Sequence, residues 1–172
     1  MCIRDSVLAE LVGPSGHVLG LEVDAALAAA AERNLVAWPQ ASVRLVEGVM
    51  PVKGRWDAVI AFAGASAPPA AWVDALARGG RALIPLTGSE RWGFMLRLDR
   101  RNAGIAAHSA GSVGFFPCVG ARDDAEAAAL TRALGDPAGQ RELKSLRRDS
   151  HRPGKTCWLH GKGWCLSKRE LH

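Results

Sequence analysis

Short apolar blocks separated by polar and glycine-rich breaks set the rhythm of the first ninety residues. VLAELV, 7–12, has the look of a helix end, and GPSG after it is a stop signal. HVLGLE, 17–22, is a short apolar strand closing on an acid. DAALAAAAERNL, 24–35, begins at a good N-cap, Asp24, and its run of alanines predicts a helix. SVRLVEG, 42–48, and WDAVIAFAGA, 56–65, are further strands, the latter apolar enough to be buried on both faces. PPAAWVDALARGG, 68–80, opens on prolines and closes on glycines, which predicts a helix, and RALIPLTG, 81–88, is a fourth strand.

Strand and helix alternate up to this point, as in a doubly wound, mostly parallel sheet. The pattern then changes. ERWGFMLRLDRRNAGIAAHSAG, 90–111, reads as two strands joined by a turn at Arg101-Asn102, a terminal antiparallel hairpin. SVGFFPCVGA, 112–121, is a further apolar segment, and RDDAEAAALTRALG, 122–135, is a helix. The remainder is polar, with a short strand signal at ELKSLRRD and an aromatic, thiol-bearing segment, TCWLHGKGWCL. The expected class is α/β with a Rossmann-like sheet. The expected division is a main domain over 7–135 and a basic C-terminal extension over 136–172.

The net charge of +5 refines that division. Residues 141–172 hold nine Lys/Arg against three Asp/Glu, whereas residues 1–140 hold thirteen against fourteen. The basicity belongs to the tail, whose simplest reading is a solvated terminus. No basic patch interleaved with aromatics and no nucleic-acid motif accompanies it, so no nucleic-acid partner is expected. No apolar run approaches the length of a membrane span, and the first residues lack the layout of a signal peptide, so the expected setting is cytoplasmic with no membrane partner. Four scattered cysteines, Cys2, Cys118, Cys157 and Cys165, do not make a disulfide framework.

Ligands of parallel α/β sheets bind at the carboxyl ends of the strands. That rule selects Glu22, the segment Gly48-Val49-Met50, and the segment Ala63-Gly64-Ala65-Ser66. Glu22 is either an acceptor for ribose hydroxyls, each such bond contributing about 1.5–3 kcal/mol, or a surface glutamate steadied by the following helix dipole. The small residues of AFAGASAPP either admit a ligand close to the backbone or simply join strand to helix. Ser66 is a possible polar contact, though a solvated loop serine is the simpler reading.

The ordered set GxVLGLExD, AxxNL, VRLVEG, WDAVIAFAGA and ALARGGRALIPL resembles class I S-adenosylmethionine-dependent methyltransferases, and most closely the protein-L-isoaspartate O-methyltransferase family. GFMLRLDRRNAG followed by GSVGFFPCVGA resembles the end of that family's catalytic domain, and the tail resembles an extension on some bacterial relatives. The resemblance implies S-adenosyl-L-methionine as cofactor. The implied reaction is methyl transfer to a carboxylate, and the implied partner is a protein or peptide carrying an isoaspartyl residue. Glu22 matches the acid that holds the cofactor ribose. Gly48-Val49 stands where the family usually has Gly-Asp beside the adenine, so a side-chain acceptor is replaced by valine. Ala61 to Ala65, including Ala63 and Gly64, match the loop lining the cofactor. No catalytic residue is assigned.

The family's glycine-rich cofactor loop belongs upstream of VLAELVG, on a first strand that is missing here. The residues MCIRDS, 1–6, back-translate to a string matching a transposase adapter used in sequencing libraries, so they are expected to be an artefact preceding a truncated gene. Weak or no cofactor binding is then expected of the 172-residue chain. Three other readings are open, one of them a methyltransferase of this fold acting on a small molecule or a different protein carboxylate. A nicotinamide-dependent, NAD(P)-binding Rossmann protein would also use Glu22, although the antiparallel pair and the lack of a second mononucleotide-binding half argue against it. A non-catalytic or zinc-binding interaction module in the tail would use His151, Cys157, His160 and Cys165. Their spacing, H-x5-C-x2-H-x4-C, is no standard zinc pattern, and Trp158, Leu159, Trp164 and Leu166 more simply pack the segment onto the domain; no metal ligand is therefore assigned.

Overall fold

In the computed structural model, which describes residues 3–51 and 53–171, helix α1 (Ile3–Val12) stops at the glycine the sequence marks. Gly13 takes φ +71°, and its N–H reaches back to Ala9 O and Glu10 O at 3.2 Å, the usual way a helix end satisfies its last carbonyls. Of the six residues expected to be an artefact, Met1 and Cys2 lie outside the described residues, and the other four open α1. The chain divides into two units at Met50 and Pro51.

The first unit holds α1, β1 (Val18–Glu22), α2 (Ala25–Asn34) and β2 (Ala41–Leu45). β1 and β2 pair in parallel, Glu22 opposite Leu45. The Asp24 carboxylate caps α2, accepting from Ala26 N at 2.8 Å and Leu27 N at 2.9 Å. Ala28, Ala31 and Leu35 supply the buried side of α2 and its C-terminus. The indole N–H of Trp38 donates to Glu10 at 2.6 Å, and Gln40 donates to Ala9 O at 3.1 Å, tying the entry of β2 to α1.

The second unit is built on one seven-stranded sheet, β3 (Trp56–Ile60), β4 (Leu76–Thr87), β5 (Trp92–Arg101), β6 (Gly104–Gly114), β7 (Ser145–Arg147), β8 (Cys157–Gly161) and β9 (Trp164–Ser167), in spatial order β3-β4-β5-β6-β7-β9-β8. β3 and β4 are parallel, and every later pairing is antiparallel. The parallel pairs β1-β2 and β3-β4 and the β5-β6 hairpin are those the alternation of elements implies. α3 (Ala70–Ala75) is shorter than the punctuation suggests. Leu76 is fully buried and extended, at φ −64° and ψ 133°, so the segment LARGG opens β4 instead of closing the helix. Burying Leu76 beside Trp56 outweighs the weak helical preference of a six-residue turn. α4 (Asp124–Ala133) lays Ala127 and Leu130 on a core made by Ile84, Leu86, Phe94, Leu96 and Leu98.

The tail is no solvated terminus. α5 (Pro137–Arg141) leads into β7, which pairs with β6, and β9 and β8 extend the sheet further. Leu143, Leu146, Leu159 and Leu166 enter the core, and Trp158 meets Phe94 edge-on at 5.6 Å between ring centroids. Part of the tail's positive charge is paired, Arg147 with Asp149, Arg148 with Asp74, Lys144 with Glu170 and Lys168 with Glu142. No helix among the described residues is long and apolar enough to cross a membrane.

Candidate functional site

In the first unit the parallel pairing puts the carboxyl ends of β1 and β2 on one rim. Glu22 closes β1, and its Oε1 accepts from the N–H groups of Val23 at 2.8 Å and Asp24 at 3.1 Å. Oε2 accepts no hydrogen bond among the described residues. The carboxylate is thus held by the turn that starts α2, with one oxygen engaged and one available. Val46 N donates to Glu22 O at 2.8 Å, which ties the exit of β2 to the same rim. Gly48, at φ +153°, and Val49 follow, both half-buried. The other acid near β1 is Asp5, whose carboxyl is raised above its ordinary 3.8 by burial, with the charge of Glu22 adding to the effect.

In the second unit the rim after β3 is zipped to β4 by backbone bonds, Ala61 N to Leu83 O, Ala65 N to Pro85 O and Thr87 N to Ala65 O, each 2.9 Å. On the opposite side Gly64 N donates to Phe116 O at 2.7 Å and Cys118 N donates to Gly64 O at 2.9 Å. Both polar groups of Gly64 are therefore engaged within the unit, and the residue is buried. Ala63 is half-buried beside the exposed Phe62. A Cβ on Gly64 would lie 2.2 Å from Thr87 Oγ1, so only glycine fits. Arg122 fixes Thr87 in turn, donating through Nη1 to Thr87 O at 2.6 Å and Oγ1 at 2.9 Å, and through Nη2 to Gly88 O at 2.9 Å. Ser66 corrects its sequence reading. It is 1% exposed, and its hydroxyl accepts from Asp123 N at 2.9 Å and faces Ala121 O at 3.4 Å, so it clamps the loop to the start of α4 instead of meeting solvent.

A further cluster lies at the hairpin β8-β9. One ligating atom from each of His151, Cys157, His160 and Cys165 comes within 4.8 Å of the others. A strand normally sends residues i and i+3 to opposite faces. Here a bulge between Cys157 and Leu159 adds one residue to β8, so Cys157, paired with Ser167, shares a face with His160, paired with Cys165. The opposite face carries Leu159, Trp164 and Leu166 into the core. The sequence shows all four residues and the apolar packing residues, but the bulge that unites the four leaves no trace in their spacing.

His151 Nδ1 lies 3.0 Å from Asp149 O, while Nε2 lies 3.4 Å from Cys157 Sγ. The rings of His151 and His160 meet edge-on at 4.8 Å, and His160 Nδ1 is buried with no hydrogen-bond partner among the described residues. Burial opposes ionisation of Cys157, but hydrogen bonds from the Gly154 backbone and from Cys165, His151 and His160 outweigh it and bring the thiol down to about 6. Burial and the neighbouring Cys157 drive Cys165 the other way, to about 12.

A family model described as protein-L-isoaspartate(D-aspartate) O-methyltransferase matches residues 2–123. Among curated relatives, the protein-L-isoaspartate O-methyltransferase of Pyrococcus horikoshii is 32% identical over 120 residues, 67% of this chain and 54% of the relative. That of Chromobacterium violaceum is 33% identical over 118 residues, 66% of this chain and 52% of the relative. The chain thus spans about half the length of the curated relatives it matches. Among solved structures, a Plasmodium falciparum protein described as a beta-aspartate methyltransferase in complex with S-adenosyl-L-homocysteine superposes with TM-score 0.52 at 22% identity, covering 59% of this chain and 52% of that one. A second, a protein-L-isoaspartate O-methyltransferase, gives TM-score 0.63 at 17% identity over 85% of this chain and 45% of that one. At these identities the two structures speak for the fold, a Rossmann-like methyltransferase arrangement.

Proposed function

Since the chain belongs to the protein-L-isoaspartate(D-aspartate) O-methyltransferase family, we propose that it carries the adenosine-binding portion of an S-adenosylmethionine-dependent carboxyl methyltransferase acting on isoaspartyl residues of protein or peptide. The observation that carries this reading is Glu22, a carboxylate at the end of β1 with Oε1 fixed by two backbone N–H groups and Oε2 available. A ribose diol presents two hydroxyl donors, and an ionised acceptor is their natural partner. The donor set fits the cofactor on this count. Val49 is the discordant position, since it supplies no acceptor for the adenine.

When bound, S-adenosylmethionine would supply an electrophilic methyl group to an acceptor carboxylate, its sulfur leaving as a neutral thioether. What the chain contributes is positioning. In the first unit Glu22 would hold the ribose, with Gly48 and Val49 along the adenine. Within the second unit Arg122 holds Thr87 behind the Ala63-Gly64 loop.

Two ribose hydrogen bonds to a carboxylate contribute about 3–6 kcal/mol together, the scale of a millimolar dissociation constant, about 4 kcal/mol. The test is a titration of the 15N-labelled chain with S-adenosylhomocysteine and, separately, with NADH. Weak binding of S-adenosylhomocysteine that shifts the amides of Val23, Asp24, Gly48 and Val49 is expected. Shifts of these amides by NADH and none by S-adenosylhomocysteine would overturn the reading.

A further inference from the structure

We propose that His151, Cys157, His160 and Cys165 form a structural binding site for a zinc-type divalent cation that staples the C-terminal hairpin. Three independent features converge on it. The first is the donor set. Two thiols and two imidazoles make a Cys2His2 group, the chemistry that selects a tetrahedral d10 ion over the oxygen-seeking magnesium and calcium.

The second is geometry. A tetrahedral site with Zn–S about 2.3 Å and Zn–N about 2.0 Å places neighbouring ligand atoms about 3.3–3.8 Å apart. Cys157 Sγ and His151 Nε2 are already 3.4 Å apart, and all four atoms lie within 4.8 Å, so an inward movement of about an ångström completes the shell. The bulge in β8 serves this arrangement directly, because without it Cys157 would face the core and His160 the cluster.

The third is the wiring behind the ligands. Asp149 O takes the Nδ1 side of His151, which fixes the tautomer that leaves Nε2 to face Cys157. The Asp149 carboxylate, 3.4 Å from the same nitrogen, is itself paired with Arg147 at 2.5 Å. His160 Nδ1, by contrast, is buried with no hydrogen-bond partner among the described residues. An unpaired buried nitrogen carries a desolvation cost that a metal bond removes. Arg147 also stands opposite Cys165 in the β7-β9 register, placing a positive charge alongside the thiolates.

Binding converts two thiols and a divalent ion into a neutral dithiolate complex, and the two protons pass to solvent. With four protein ligands the site is closed, which makes its role structural. It joins the loop at His151 to both strands of the hairpin, so the ion locks the outer end of the sheet.

The test uses the full chain, expressed with zinc and desalted, with metal content read by mass spectrometry and free thiols counted in parallel. About one zinc per chain is expected. Cobalt(II) in its place should give the intense visible and sulfur-to-metal charge-transfer bands of a tetrahedral dithiolate site. His151→Ala, which alters a loop and leaves both strands intact, should bind at least about tenfold more weakly, whereas Cys118→Ala should retain the metal. Less than about a tenth of an equivalent of zinc in the zinc-saturated wild type, with cross-strand NMR contacts of β8-β9 present, overturns the proposal. So does a Cys157–Cys165 disulfide in the freshly purified chain, or a cobalt spectrum without charge-transfer bands.

Discussion

Replacing Gly64 by alanine adds a single methyl group to the rim after β3, and the surroundings decide its cost. Gly64 is not among the residues with positive φ, so the alanine backbone fits, and the stiffer unfolded chain would by itself favour folding by about 0.4–1 kcal/mol. The new Cβ, however, would sit 2.2 Å from Thr87 Oγ1, 2.9 Å from Cγ2 and 3.1 Å from Cβ. Thr87 is fully buried, and Arg122 Nη1 grips its hydroxyl at 2.9 Å and its carbonyl at 2.6 Å. Overpacking of this kind costs about 1–3 kcal/mol, and turning the hydroxyl away from a charged donor costs about 1.5–3 kcal/mol more if the clash is relieved that way. Set against the entropic gain, a net loss of about 2 kcal/mol is expected. With a urea m-value of about 2 kcal/mol/M the unfolding midpoint falls by about 1 M. The assay is urea unfolding followed by tryptophan fluorescence, with Thr87→Ala and the double variant alongside. Thr87→Ala removes the two nearest atoms, so in that background Gly64→Ala should cost less than about 0.5 kcal/mol. An unchanged midpoint in the single variant, or an undiminished loss in the double variant, would refute the argument.

Ser66→Ala leaves Asp123 N without its acceptor and should lower stability by about 1–2 kcal/mol in the same urea assay; Ser66→Cys should not restore it. Val49→Asp supplies the acceptor that valine lacks and should tighten S-adenosylhomocysteine about tenfold, whereas Glu22→Gln should weaken it about as much, both read by the amide titration. The Asp74 carboxyl is held below its ordinary 3.8 by its hydrogen bond from Arg148. A depressed carboxylate stabilises the fold above its unfolded value and loses that contribution as pH falls through the folded one. Both partners are well exposed, so Arg148→Ala should cost no more than about 1 kcal/mol at neutral pH. In acid the variant and the wild type should unfold at the same urea concentration, and a gap that persists there would refute the pairing.

Elements with a local signature were legible. Gly13 stops α1, Asp24 caps α2, and the β5-β6 hairpin turns one residue after the expected dipeptide, because each depends on residues adjacent in sequence. LARGG was misread, since its glycines punctuate a helix locally while the pairing of Leu76 with Trp56 is a long-range fact. Of the tail's strands only β7 had a signal, at ELKSLRRD, and the β8-β9 hairpin was not read as strands. TCWLHGKGWCL shows its packing residues but not its pairing, because β9 joins the sheet only through β7, whose partner β6 is distant in sequence. Of the candidate site, Glu22 was visible as an acid ending a strand. The hydroxyl of Ser66 was not, because its partner lies 57 residues away.

The way β7 meets β6 bears on how the chain behaves in company. β7 pairs with only Ile105 and Ala106, and Gln140 reaches Ser109 from α5 at 2.8 Å, so a short segment shields the middle of an eleven-residue strand. A bare strand edge is a template for another chain. Cutting the chain before Asp136 would strip that cover and bare the edge of β6, converting an interior strand into an adhesive one. The C-terminal segment therefore acts as a guard against self-association, and its loss should show first as turbidity at rising concentration.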